Sequence, residues 1–107
     1  MTVLTSETST QNSPSRLTTS VVIPVRDGGL GYRRCLQGIT EAAPASTEII
    51  VVADGDTDGS WHVAEEFGVK VLRNDRPQGP PRSRNFGAQA AQGDILFFLD
   101  ADVAIRL

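Results

Sequence analysis

A layered α/β fold on a mainly parallel sheet is what this 107-residue chain predicts. Three observations lead there. Short β-branched or apolar runs alternate with segments of helical spacing, in the order strand, helix, strand, helix, strand, helix, strand. Gly- and Pro-rich turns fall between them. The last apolar run, Ile95 to Leu99, has no polar alternation and leads straight into Asp100-Ala101-Asp102, the pattern of a strand buried on both faces. Aspartate is a poor strand former and is rarely buried without a partner. The two carboxylates therefore point to a cation at the C-terminal end of the sheet, where open α/β sheets bind ligands.

The elements follow in order. Met1 to Ser20 is rich in Thr and Ser and poor in large apolar residues, so it predicts a disordered tail, with the domain occupying 21–107. Val21 to Val25 is the first strand, with Pro24 marking its end, and Asp27-Gly28-Gly29 is a turn. Leu30 to Ala43 carries Leu36, Ile39 and Ala43 at helical spacing and stops at Pro44. Glu48 to Ala53 is the second strand, Asp54 to Gly59 a loop, and Ser60 to Phe67 a short helix ended by Gly68. Val69 to Leu72 is the third strand. Asn74 to Pro81 is a polar connection, and Arg82 to Gln92 a helix with Gly93 as a left-handed cap.

Composition excludes several classes. A net charge of −3 without a Lys/Arg run argues against a nucleic-acid partner. Cys35 is the only cysteine, which forbids an intrachain disulfide and fits a reducing compartment. No apolar stretch is long enough to span a bilayer, and the N-terminus lacks the basic start and apolar core of a signal peptide.

Four segments, VVIPVRDGG from Val21, EIIVVADGDTDGS from Glu48, GPPRSRNFGAQAAQGD from Gly79 and ILFFLDAD from Ile95, resemble in order and spacing the N-terminal, nucleotide-sugar-binding half of a family 2 glycosyltransferase of the GT-A fold. The resemblance implies a three-layer sandwich with strand order 3-2-1-4. It implies a nucleotide-diphosphate sugar, a UDP-sugar first of all, and transfer of the sugar to a hydroxyl acceptor. It also implies Mn2+ or Mg2+ held by Asp102, because a hard cation suits oxygen ligands and offsets the charge of a departing diphosphate. Asp100 would face the ribose or a water of the metal shell, and Asp54 would accept a hydrogen bond from the base, as an acceptor-only group can. Pro24 and Arg26 would lie under base and ribose, and Arg84, followed by Asn85, would reach the base edge or the diphosphate. Two departures stand out: Ala53 replaces a frequent aspartate, and Arg26 a frequent aromatic residue. By the same resemblance, a cytoplasmic protein, peripheral at a membrane, is expected.

The chain ends at Leu107, five residues after Asp102. The acceptor half and catalytic base of the resembled enzymes come later, so donor binding without transfer is expected. The last strand would then form an edge whose apolar row invites association. A non-catalytic binding or assembly module is accordingly the alternative. A second alternative comes from Asp54 to Glu65, which fits the calcium-loop pattern D-x-D-x-D-G-x5-E, although the segment before it reads as a strand rather than the entering helix that such a loop needs.

Overall fold

A computed structural model describes residues 17–102. Seven elements alternate along it: β1 (Thr19–Val25), α1 (Gly29–Ala42), β2 (Glu48–Asp54), α2 (Ser60–Glu66), β3 (Lys70–Asn74), α3 (Pro80–Ala90) and β4 (Ile95–Phe98). The strands make one parallel sheet in the order β3-β2-β1-β4. Successive residues of a strand face opposite sides, and β1 divides its side chains accordingly. Val21, Ile23 and Val25 join Val51 in a core closed by Tyr32, Cys35 and Leu36 of α1 and Ala64 of α2. Val22 faces the other way and joins Ile50 and Val52, where α3 lies across the sheet. Helices thus cover both faces, giving the three layers expected.

α3 sits close because Gly87 has no side chain. A Cβ there would overlap Val22 and stand 3.1 Å from Val52 Cγ2. The helix starts on Pro80 and Pro81, which suits them because the first N–H groups of a helix have no intrahelical acceptor. On the opposite face, the Tyr32 hydroxyl donates to the Ser60 carbonyl at 2.8 Å, tying α1 to α2. Burial above all pushes that phenol well above its usual range.

Four expectations need correction. β1 begins at Thr19, so Thr19 and Ser20 belong to the sheet and not to a tail; positions 1–16 lie outside the described residues. Ser20 is fully buried, and its polarity is satisfied by donating to Glu48 Oε1 at 2.6 Å and accepting from the Gly93 N–H at 2.8 Å. Pro24 does not end β1 but pairs in register with Val52, beyond the last β1–β4 pair, Val22 with Phe98. Gly93 is not among the left-handed glycines; a Cβ would meet the Ser20 backbone nitrogen at 2.7 Å, so space is what selects glycine there. Finally, β4 is not buried on both faces. It lies at the edge of the sheet, outside both core clusters, and Ile95, Leu96, Phe97 and Phe98 are 38% to 57% exposed.

The N-terminal end of the sheet is fastened by Glu48. Its carboxylate accepts from Ser20 and from the Gln92 N–H, and pairs with Lys70. The Gln92 N–H first, then Lys70 and Ser20, bring its pKa down to about 2 from an ordinary 4.5. A lowered carboxylate pKa contributes stability above the unfolded value and loses it as pH falls.

Two outcomes are expected. Gly87→Ala should destabilise the fold by about 1–3 kcal/mol through overpacking, read from the denaturation midpoint; an unchanged midpoint would contradict the seating of α3. Glu48→Gln should lower the melting temperature at pH 7, and the gap from wild type should close as pH drops from 4.5 towards about 2. A gap that is constant over that window would mean that the ionised carboxylate is not what fastens the strands.

Candidate functional site

All four strands run the same way, so their C-terminal ends share one rim. A cavity of about 360 Å³ opens there, lined by Pro24, Val25 and Arg26 after β1, Asp54 at the end of β2, Asp100 beyond β4, and Pro77, Gly79, Pro80, Ser83 and Arg84 around the start of α3. Five sequence-predicted residues, Pro24, Arg26, Asp54, Arg84 and Asp100, therefore meet around one space although up to 76 positions separate them in the chain. Asn85 is exposed and is not among the lining residues.

Asp54 is the most constrained of them. It is 5% exposed, and a buried charge must be hydrogen-bonded. Oδ1 accepts from Asn74 Nδ2 at 2.9 Å and from the Gln78 N–H at 2.8 Å, while Oδ2 accepts from the Gly79 N–H at 2.9 Å. Burial pushes the Asp54 pKa up, but the donors from Gln78, Asn74 and Gly79, with Ser83 beside them, outweigh it and hold the carboxyl below its usual range. Gly55 makes this arrangement possible. It has φ +74°, and a Cβ there would stand 2.6 Å from Pro77 Cδ, so any other residue would push the 75–79 loop off Asp54. Asn74, Gln78, Gly55 and the fully buried Ser83 were not legible as site residues. The available signal was the position of Asn74 two residues after the third apolar run, at the end of a strand parallel to the one that ends in Asp54.

The remaining charges of the rim have no ion-pair partner among the described residues. Ion pairs among the described residues join Arg33 to Glu66, His62 to Glu65 and Lys70 to Glu48; none takes up Arg26, Arg84, Asp100 or Asp102. β4 hands over to the rim through the Leu99 N–H, which donates to the Val22 carbonyl at 3.0 Å. Cys35, buried in α1, donates its thiol to the Asp100 carbonyl at 3.7 Å. Ala101 packs against the α1–α2 core. Asp102 is exposed and does not line the cavity; its Cβ lies beside Gly31 of α1, 3.8 Å from where a Cβ on that glycine would be.

A second group of acids forms on the other side of the β2–α2 loop. One carboxylate oxygen from each of Asp27, Asp56 and Asp58 lies within 4.8 Å of the others, an arrangement that can hold a cation. It is also a latch between loops. Asp27, at φ +52°, accepts from the Thr57 N–H at 2.7 Å and the Asp58 N–H at 3.2 Å, and Asp56 accepts from the Asp27 N–H at 3.2 Å. Burial, together with the charges of Asp58 and Asp27, raises the Asp56 pKa. The helix–loop–helix frame of a calcium loop is not formed. β2 enters the segment, Asp54 faces away to Asn74 and Gln78, and Glu65 pairs with His62.

The larger cavity, about 600 Å³, lies at the opposite end of the sheet. Its charged groups, Glu48 and Lys70, are engaged with each other and with Ser20 and Gln92, so it offers a ligand little that is not already paired. No helix among the described residues is long and apolar enough to cross a membrane.

Comparison with known proteins agrees with this fold. The chain is 36% identical over 90 residues to glycosyltransferase AglE of Haloferax volcanii, an alignment that covers 78% of the chain and 30% of AglE. Its fold matches S. aureus TarS (1–349) in complex with UDP-GlcNAc, with a TM-score of 0.74 and 25% identity over 80% of this chain and 27% of TarS. It also matches glucosyl-3-phosphoglycerate synthase of Mycobacterium tuberculosis in complex with Mn2+, UDP and glucosyl-3-phosphoglycerate, with a TM-score of 0.71 and 25% identity over 81% of this chain and 34% of that one. The chain thus spans about a third or less of each of these proteins. The family profile described as "Glycosyl transferase family 2" matches residues 20–106. With a parallel sheet of the GT-A type and a rim site of this composition, the chain belongs to glycosyl transferase family 2.

Proposed function

We propose that the rim cavity is the donor site of a glycosyltransferase and takes a nucleotide-diphosphate sugar, a UDP-sugar first of all, for transfer to a hydroxyl acceptor. The observation that carries this reading is the meeting of Pro24, Arg26, Asp54, Arg84 and Asp100 around one cavity, with both guanidinium groups free of ion pairs among the described residues. Asp54 would accept from the base, and Pro24 and Arg26 would support base and ribose. A helix N-terminus commonly supplies N–H groups to phosphate, but α3 starts on two prolines and its neighbouring Gly79 N–H is engaged by Asp54. Charge on the diphosphate would therefore fall to Arg84 and to a metal.

The donor set fits a hard divalent cation, Mn2+ or Mg2+. Asp100 and Asp102 present carboxylate oxygens that no Lys, Arg or His among the described residues neutralises. Asp102 would hold the metal, and Asp100 would contact the ribose or a water of the metal shell. Such an ion, when bound, compensates the charge that develops on the leaving diphosphate. A catalytic base must reach the acceptor hydroxyl. Among the described residues, Asp54 and Asp100 are the carboxylates that line the cavity, and both are given donor roles here. The solved relatives carrying UDP-GlcNAc, or UDP with Mn2+, support the same donor chemistry.

The exposed row of β4 favours a second reading, assembly with another copy through the open sheet edge. Calorimetric titration of UDP tests the first reading. Binding should require Mn2+ or Mg2+ and weaken at least tenfold in Asp102→Ala, whereas absence of UDP binding under all conditions would reject the donor site. Light scattering tests the second: a dimer that becomes monomeric in Phe97→Lys is expected, and a wild-type monomer at high concentration would dismiss it.

A further inference from the structure

We infer that Asp27 is a positioning residue for the rim site: it fastens the β1–α1 loop to the β2–α2 loop and so holds Arg26 at the cavity. The inference rests on the donor-site reading above and adds to it a residue that does not itself line the cavity.

Arg26 stands between two fixed points. Before it, Val25 is buried in the α1–α2 core and pairs in register with Ala53. After it, Asp27 Oδ1 accepts from the Thr57 N–H at 2.7 Å, the Thr57 hydroxyl at 3.2 Å and the Asp58 N–H at 3.2 Å. The Asp27 N–H donates in turn to Asp56 Oδ1 at 3.2 Å, and the Gly28 N–H to Ser60 Oγ at 3.0 Å. The tie keeps Asp27 at φ +52°, a conformation that few residues other than glycine adopt and that aspartate tolerates. β1 and β2 thus leave the rim side by side, and their loops are joined just behind the two residues, Arg26 and Asp54, that line it.

The chemistry of the tie leaves Arg26 available. The Thr57 N–H above all holds the Asp27 carboxyl below its usual range, so it is ionised near neutrality and can only accept. Its hydrogen-bond donors are neutral N–H and O–H groups, and no ion pair among the described residues takes up the neighbouring guanidinium. Asp54 is held separately, by Asn74, Gln78 and Gly79. Loosening the tie should therefore displace Arg26 and spare Asp54.

The experiment is calorimetric titration of UDP with Mn2+ into the 107-residue chain and its variants. Asp27→Gly keeps the left-handed backbone accessible and removes the acceptor. Asp27→Asn also tolerates that backbone and keeps one acceptor oxygen, which suffices because all three donors sit on Oδ1. Asp27→Gly should weaken UDP about fivefold or more, and Asp27→Asn less than about twofold. Because residues that act through one another are not additive, adding Asp27→Gly to Arg26→Ala should cost less than about twofold beyond Arg26→Ala alone. Should Asp27→Gly not fold, Thr57→Pro, which deletes the 2.7 Å donor on an exposed loop residue, takes its place in the same comparison. Wild-type affinity in Asp27→Gly or in Arg26→Ala, an equal loss with and without Arg26, or a loss in Asp27→Asn as large as in Asp27→Gly overturns the inference and leaves the donor site standing. If UDP does not bind wild type, the donor-site reading fails and the inference falls with it.

Discussion

The rim of the sheet is organised by one buried charge. Asp54 is almost entirely removed from water, a position that an ionised carboxylate holds only when surrounding donors replace its hydration. Those donors come from the end of β3 and from the connection to α3. Seating the charge therefore also seats the 75–79 loop, and with it the first turn of α3 that carries Ser83 and Arg84. Gly55 is the steric condition for this, because Pro77 occupies the space that a side chain would need. A carboxylate, a glycine and a proline-rich connection are thus one device, although they look like three unrelated turn features in the sequence.

The two ends of the sheet show what separates a scaffold from a site. Both carry a carboxylate whose pKa is lowered by hydrogen bonds. At the N-terminal end, Glu48 is matched by Lys70, Ser20 and the Gln92 N–H, and the charges cancel locally. At the C-terminal end, Asp54 is matched by neutral donors only, while Arg26, Arg84, Asp100 and Asp102 have no ion-pair partner among the described residues. Cavity size alone points to the wrong end. Unengaged charge points to the end at which parallel sheets bind ligands.

The edge strand shows how pattern and context can part. An unbroken apolar run is the mark of a strand covered on both faces, and Ile95 to Phe98 has that pattern. Among the described residues the strand has a neighbour on one side only, and its side chains stand largely open. The run describes the surroundings for which such a strand is suited, whereas its exposure depends on what is packed against it. Leu99 and Ala101, just beyond, turn back onto the α1–α2 core and so set Asp100 at the cavity and Asp102 outside it.

Periodicity and turn chemistry, which are local properties, determined the seven elements and their order, and the resemblance carried by four segments supplied the strand order and the residues Pro24, Arg26, Asp54, Arg84, Asp100 and Asp102. Strand ends were harder to read, because Ser20 and Asn74 are polar and earn their places in the sheet through partners far away in the chain. Gly93 likewise looked like a helix cap, but the nearby Ser20 backbone is what excludes a side chain there. Only the tertiary structure decided that Asp54 leaves the acidic loop to face Asn74 and Gln78, and that Asp27 joins Asp56 and Asp58 in its stead. The physical reason is common to these cases: hydrogen-bond saturation and close packing depend on pairs brought together by chain crossovers, and a linear pattern records the needs of each residue but not the partner that meets them.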